Sequence, residues 1–259
     1  MLARTGISIA VLALAALTGC HEMTARQKLW LVDGERAFTQ KRYAIAADEL
    51  NRFLAEVPEG PETDRALYVR GMANAKLGRR QQAYADIERA VQTCRDPDIL
   101  WRALAVLGVM RFEDSDWAAA ARSLERATDR MPARPPKDWL LFRQGQAYER
   151  SGQWSAAREA YRRVLTYFPR GKYAAVAQRR LQLNADHFSV QAGVFAGREG
   201  AEQVAAQLAG ADLPAFVRRE SRAGNPVHVV LVGRHATYEP AVQLLRRVKG
   251  YVPDAVLWP

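Results

Sequence analysis

Four glycines, Gly34, Gly71, Gly108 and Gly145, stand 37 residues apart, and the register extends beyond them. Twelve residues after each comes an alanine (Ala46, Ala83, Ala120, Ala157), and four further on a larger residue (Leu50, Ile87, Leu124, Tyr161). Twenty-four residues after the glycines the chain reads Pro58, Arg95, Pro132 and Pro169, so three of the four units close on a residue that stops a helix. A period of this length without a slip marks stacked supersecondary units, and its content predicts two antiparallel helices in each. The glycine on the first helix is expected to face the alanine on the second, letting the backbones approach, while the larger residue fills the seam one turn later.

The pattern resembles the tetratricopeptide repeat and is kept best in the fourth unit, where Gly145, Tyr148, Gly152, Ala157, Tyr161 and Pro169 all fall in place. The first unit keeps Trp30 and Pro58, while the second lacks the tyrosine and the proline. Each unit is three residues longer than the family's, and the polar connections PEGPETD, CRDPD and PARPPKD are the natural place for the excess. The stretch GKYAAVAQRRLQLN reads as a closing helix with arginines on its outer side, since a solenoid needs a polar end. The resemblance implies a concave groove lined by the first helix of each pair. It maps onto Leu31, Phe38, Tyr68, Met72, Val109, Phe112, Trp139 and Phe142, with Lys28, Arg65 and Arg102 in a basic row suited to a carboxylate. Ordinary packing between helices and a solvated charged face are the competing readings of the same residues.

The N-terminus reads as an address. Arg4 precedes an apolar run from Ile7 to Leu17, too short to span a hydrocarbon core of about 30 Å. The following LTGC resembles the lipobox of bacterial lipoproteins, which implies a signal peptide over 1–19, lipidation of Cys20 and a short tether over 20–26. His21 stands where an aspartate holds some lipoproteins in the inner membrane, so sorting to the outer membrane is permitted. The tether spans at most about 25 Å when extended, which keeps the repeats close to the membrane. Cys94 is then left without an intramolecular partner.

Past residue 184 the periodicity changes from helical to alternating. Residues 185–259 read strand, helix, strand, then strand, helix, strand, with FSVQAGVF before REGAEQVAAQLAG and VHVVLVG before TYEPAVQLLRRVKG. This order resembles the SPOR domain, on Val190, Gln191, Gly193 and Phe195 in the first half and Val230, Val232, Gly233, Ala241 and Leu244 in the second. The expected fold class is an α-helical repeat solenoid over 27–184, followed by a small α+β domain. That domain is βαβ-βαβ, a four-stranded antiparallel sheet with two helices on one face.

Alternation along FSVQAGVF places Val190, Ala192 and Val194 on one face and Ser189, Gln191 and Gly193 on the other. The resemblance implies that the face without helices receives peptidoglycan, with the family's preference for glycans lacking stem peptides. A glutamine there offers a donor and an acceptor to sugar hydroxyls, and a glycine leaves room for a close approach. Val229, Leu231, Phe216, Arg218 and Trp258 complete the expected glycan face, the two aliphatic residues standing where the family often shows arginines.

Other functions find little support. HExxH, phosphate-loop and GxSxG motifs are absent, and His21, His187, His228 and His235 are too scattered for a ligand set, so neither metal, cofactor nor catalysis is expected. Of the net charge of +10, residues 21–187 carry +7, while 188–259 hold eight basic against six acidic residues. With the export signal, this disfavours nucleic acid. The resulting expectation is an envelope lipoprotein facing the periplasm from the outer membrane. Its last domain binds peptidoglycan and its repeats scaffold an unidentified protein partner in cell division or envelope organisation. The alternative is an outer-membrane assembly or division-coordination factor whose last domain binds protein.

Overall fold

The helix pairs form where the sequence punctuates them. In a computed structural model, which describes residues 23–222 and 224–259, α1 (Ala25–Thr39) starts at a reciprocal cap. There the Gln27 amide donates to Thr24 Oγ1 at 3.2 Å and the Thr24 amide to Gln27 Oε1 at 2.9 Å. The helix thus begins two residues inside the expected tether. α2 (Tyr43–Glu56), α3 (Pro61–Lys76), α4 (Arg80–Thr93), α5 (Pro97–Glu113), α6 (Trp117–Arg130), α7 (Lys137–Arg150) and α8 (Trp154–Tyr167) complete four pairs. Pro58, Pro132 and Pro169 each lie two residues past the end of a helix, as expected of a residue that cannot continue one. The closing helix is α9 (Ala174–Leu183).

The seam differs from the sequence expectation in one respect. Each repeat glycine faces the large residue sixteen positions later, not the alanine. A Cβ on Gly34 would lie 2.6 Å from Leu50 Cγ, on Gly71 2.8 Å from Ile87 Cδ1, on Gly108 2.7 Å from Leu124 Cγ and on Gly145 2.7 Å from Tyr161 Cζ. The large side chain fills the space the glycine leaves. The alanines are buried as well, and none is more than 1% exposed.

The C-terminal domain follows as β1 (Phe188–Phe195), α10 (Arg198–Gly210), β2 (Ala215–Arg222), β3 (Asn225–His235), α11 (Tyr238–Lys249) and β4 (Val256–Trp258). Its sheet has the order β2-β3-β1-β4 with antiparallel neighbours throughout. Val190, Val230 and Val232 meet Ala201, Ala205, Leu208, Leu244 and Val248 of the two helices in one core.

This domain packs directly on the end of the solenoid. The Trp154 indole donates to the Ala236 carbonyl at 3.0 Å, and its ring lies 4.8 Å from that of Phe188. The Trp117 indole donates to Glu239. Arg150 is enclosed by three rings, with its guanidinium 4.4 Å from the centre of Trp117, 4.9 Å from Phe112 and 4.5 Å from Tyr238. Arg158 and Arg180 donate to the carbonyls of Ala185 and Pro259, at 3.2 and 3.0 Å. Glu149 lies 3.6 Å from Arg180, and burial raises its carboxyl above the usual range against the pull of that guanidinium.

Candidate functional site

The sheet face opposite α10 and α11 is built by cross-strand pairing. Phe216 pairs with Leu231, Leu231 with Gln191 and Gln191 with Val256, so one row crosses all four strands. A second row joins Arg218, Val229 and Val194. Gln191 therefore lies on the expected face, half-buried and engaged within the domain.

Gly193 does not accompany it. Between Gln191 and Gly193 the strand advances two residues while β3 advances one, a bulge that places Ala192 and Gly193 both towards the helices. Ala192 is buried in the helix-side core, and Gly193 pairs with Val230 of that core. A Cβ on Gly193 would lie 2.6 Å from Phe195 Cε2, so the glycine makes room for the folded-back Phe195 ring rather than for a sugar. The same bulge carries Val194, expected among the covered residues, out to the other face, where it is 38% exposed.

The face is also less open than alternation implies. Ser189 is fully buried, and its hydroxyl donates to the Gly233 carbonyl at 2.7 Å. Val229 and Leu231 are fully buried on the expected face. The Trp258 ring, 6% exposed, is no open platform: Arg218 lies 4.1 Å from its centre and the His187 ring 5.6 Å away. What remains accessible is Gln191, Val194, Phe216, Val256 and part of Arg218. Val256, 49% exposed, was not expected from sequence because its strand is only three residues long.

The expected repeat groove is brought together only in its middle. Tyr68, Met72, Arg102, Val109 and Trp139 line a groove of about 510 Å³ between α3, α5 and α7, joined by Trp101 and Ala105. Burial pushes the Tyr68 phenol above its ordinary value, and the neighbouring Arg102 guanidinium opposes that shift. Arg102 itself lies 4.9 Å over Trp101. The other residues are placed elsewhere. Leu31 is in the core with Trp30 and Phe53, and Phe38 packs against Tyr43 at 5.5 Å. Phe112 is covered by Arg143 and Arg150, and Phe142 stacks on Tyr173 at 5.3 Å. Arg65 is paired with Glu35, while Lys28 stands exposed on α1, so the basic row does not act as one.

Among the described residues no group of three His, Cys, Asp or Glu side chains is arranged to hold a metal ion, and no helix is long and apolar enough to cross a membrane.

These features define a helical-repeat scaffold joined to a two-layer α+β module, and comparison with known proteins gives both parts a family. The chain carries tetratricopeptide repeats, matched over residues 32–98 and 139–170, followed by a C-terminal SPOR domain, matched over 184–258. Both are binding domains: the repeats bind proteins and SPOR domains bind peptidoglycan. Among solved structures, MamA AMB-1 is 18% identical with a TM-score of 0.50, over 61% of this chain and 84% of its own. MamA from Desulfovibrio magneticus RS-1 is 19% identical with a TM-score of 0.50, over 62% and 94%. At such identity they establish the solenoid fold alone. No curated protein sequence matches the chain significantly.

Proposed function

We propose that this chain is a non-enzymatic envelope lipoprotein that binds peptidoglycan glycan strands through its SPOR domain and holds a protein partner in its repeat groove. The observation that carries the first half is Gln191, in the middle of a cross-strand row on the helix-free face of a matched SPOR domain. The groove between α3 and α7 supports the second half. Its apolar lining and Arg102 suit a segment that brings an apolar side chain next to a carboxylate.

The test is sedimentation of the full chain with purified sacculi. A neutral hydrogen bond contributes about 0.5–1.5 kcal/mol, so Gln191→Ala is expected to weaken binding by about three- to tenfold without unfolding the domain. Val190→Ala, on the helix side of the same strand, is expected to lower stability by about 2 kcal/mol through the cavity it leaves. A wild-type chain that stays in the supernatant would overturn the glycan reading and favour a protein-binding sheet.

The lipid anchor is a further part of this proposal. It rests on the LTGC motif at residues 17–20, and Cys20 lies outside the described residues. Cys20→Ser is expected to abolish partition into detergent with membranes and to leave an unlipidated chain. Recovery of the wild type in the soluble periplasm would refute the anchor and the outer-membrane location with it.

A further inference from the structure

The ligand face of the SPOR domain is bridged by the chain itself. β2 and β4 are the two outer strands of the sheet, three strand spacings or about 14 Å apart. Arg218 extends from one and Trp258 from the other, yet guanidinium and indole centre are only 4.1 Å apart. They therefore meet above the two central strands. Beneath them lie Leu231 and Val229, both fully buried in one cluster with Trp258 and Phe216. Glu220, two residues along β2 and on the same face, holds Arg218 through its Nε at 3.0 Å. At the other end Arg180 of α9 donates to the Pro259 carbonyl, so the helical module secures the tail that carries the indole.

We propose that Arg218 and Trp258 form a clasp that closes the glycan face, and that glycan binds the state in which the clasp is open. This rests on the reading of the face as a glycan site. The bridge has the means to open, because β4 is a three-residue edge strand whose pairing reaches only Ser189, Val190 and Gln191. Opening exposes Leu231 between Phe216 and Gln191 and completes an apolar row beside an amide. That combination suits the carbon-bound hydrogens of a sugar ring flanked by its hydroxyl and N-acetyl groups. Binding to a minor open state lowers the apparent affinity by the fraction open, so loosening the clasp raises it.

The experiment compares sacculus binding of the full chain with that of Arg218→Ala and Arg218→Lys. The alanine variant is expected to bind about three- to tenfold more tightly, the change that losing an ordinary cation–π contact supplies. Lysine keeps a cation over the ring and is expected to stay near wild type. In parallel, the chain is labelled with fluorotryptophan and the Trp258 resonance assigned by its loss in Trp258→Phe. Soluble glycan fragments are expected to move that resonance towards a solvent-exposed value. Arg218→Ala binding no better than wild type, or a Trp258 signal unmoved at saturating glycan, overturns the clasp. Failure of both wild type and Arg218→Ala to bind sacculi overturns the glycan reading itself, and the clasp falls with it.

Discussion

Trp154→Ala is expected to destabilise the chain by about 3–5 kcal/mol, the range for truncating a buried aromatic side chain, and to divide one thermal unfolding transition into two. The ring is 8% exposed and belongs to both modules at once. It starts α8 of the last repeat, packs on Phe188 at the start of β1, and donates its indole hydrogen to the Ala236 carbonyl. Truncation removes the packing and leaves that carbonyl without its donor, beside Gly152 whose backbone was shaped to approach it. Calorimetry of the full chain is the measurement. A single transition at the wild-type temperature would mean that the two modules do not depend on this contact.

The second large effect is expected in the repeat seam, where Gly145→Ala is expected to lower stability by about 1–3 kcal/mol by overpacking. The new methyl would lie 2.7 Å from Tyr161 Cζ, and Tyr161 is 1% exposed. A tyrosine ring enclosed on all sides has no alternative rotamer to retreat into, whereas a leucine in the same place has some freedom. Gly210→Ala is the control. Gly210 ends α10 with nothing within 4 Å of a new Cβ, and the change is expected to be neutral or slightly stabilising. Equal melting temperatures for the two variants would show that the glycine is not selected by this seam.

The repeats were legible because each signal recurs four times, so period and helix ends are read from coincidence rather than from any one residue. The partner across the seam was not, since twelve and sixteen residues past the glycine are successive turns of one helix face and both are buried. In the second module the succession of strands and helices was readable from the change of periodicity, and so was the side on which Gln191 lies. What alternation cannot convey is a change in its own phase. One extra residue at the Ala192 bulge reverses the facing of Gly193 and Val194, and the one signal for it in the sequence is Gly193 itself, since a glycine inside a strand often marks a bulge. Ser189 and Trp258 were misjudged for a different reason, because their burial depends on a tail and a helix far away in sequence. The docking of the modules did leave a trace that the glycine pattern obscured. Trp117 and Trp154 are themselves 37 residues apart, at the first position of the second helix in the last two units.

That shared position sets a rule for the length of the molecule. In the second unit the equivalent residue, Arg80, reaches forward to Glu113 and Asp114 of the next pair, whereas in the fourth Trp154 finds the SPOR domain where another pair would stand. The terminal module thus occupies a stacking site, and the surface it needs is supplied by the last two units and the closing helix α9. Whole units added upstream of Gly108 would leave that surface untouched while moving the sheet farther from the chain's beginning. The reach of such a protein changes in increments of one helix pair, and the join between its parts stays the same at every length.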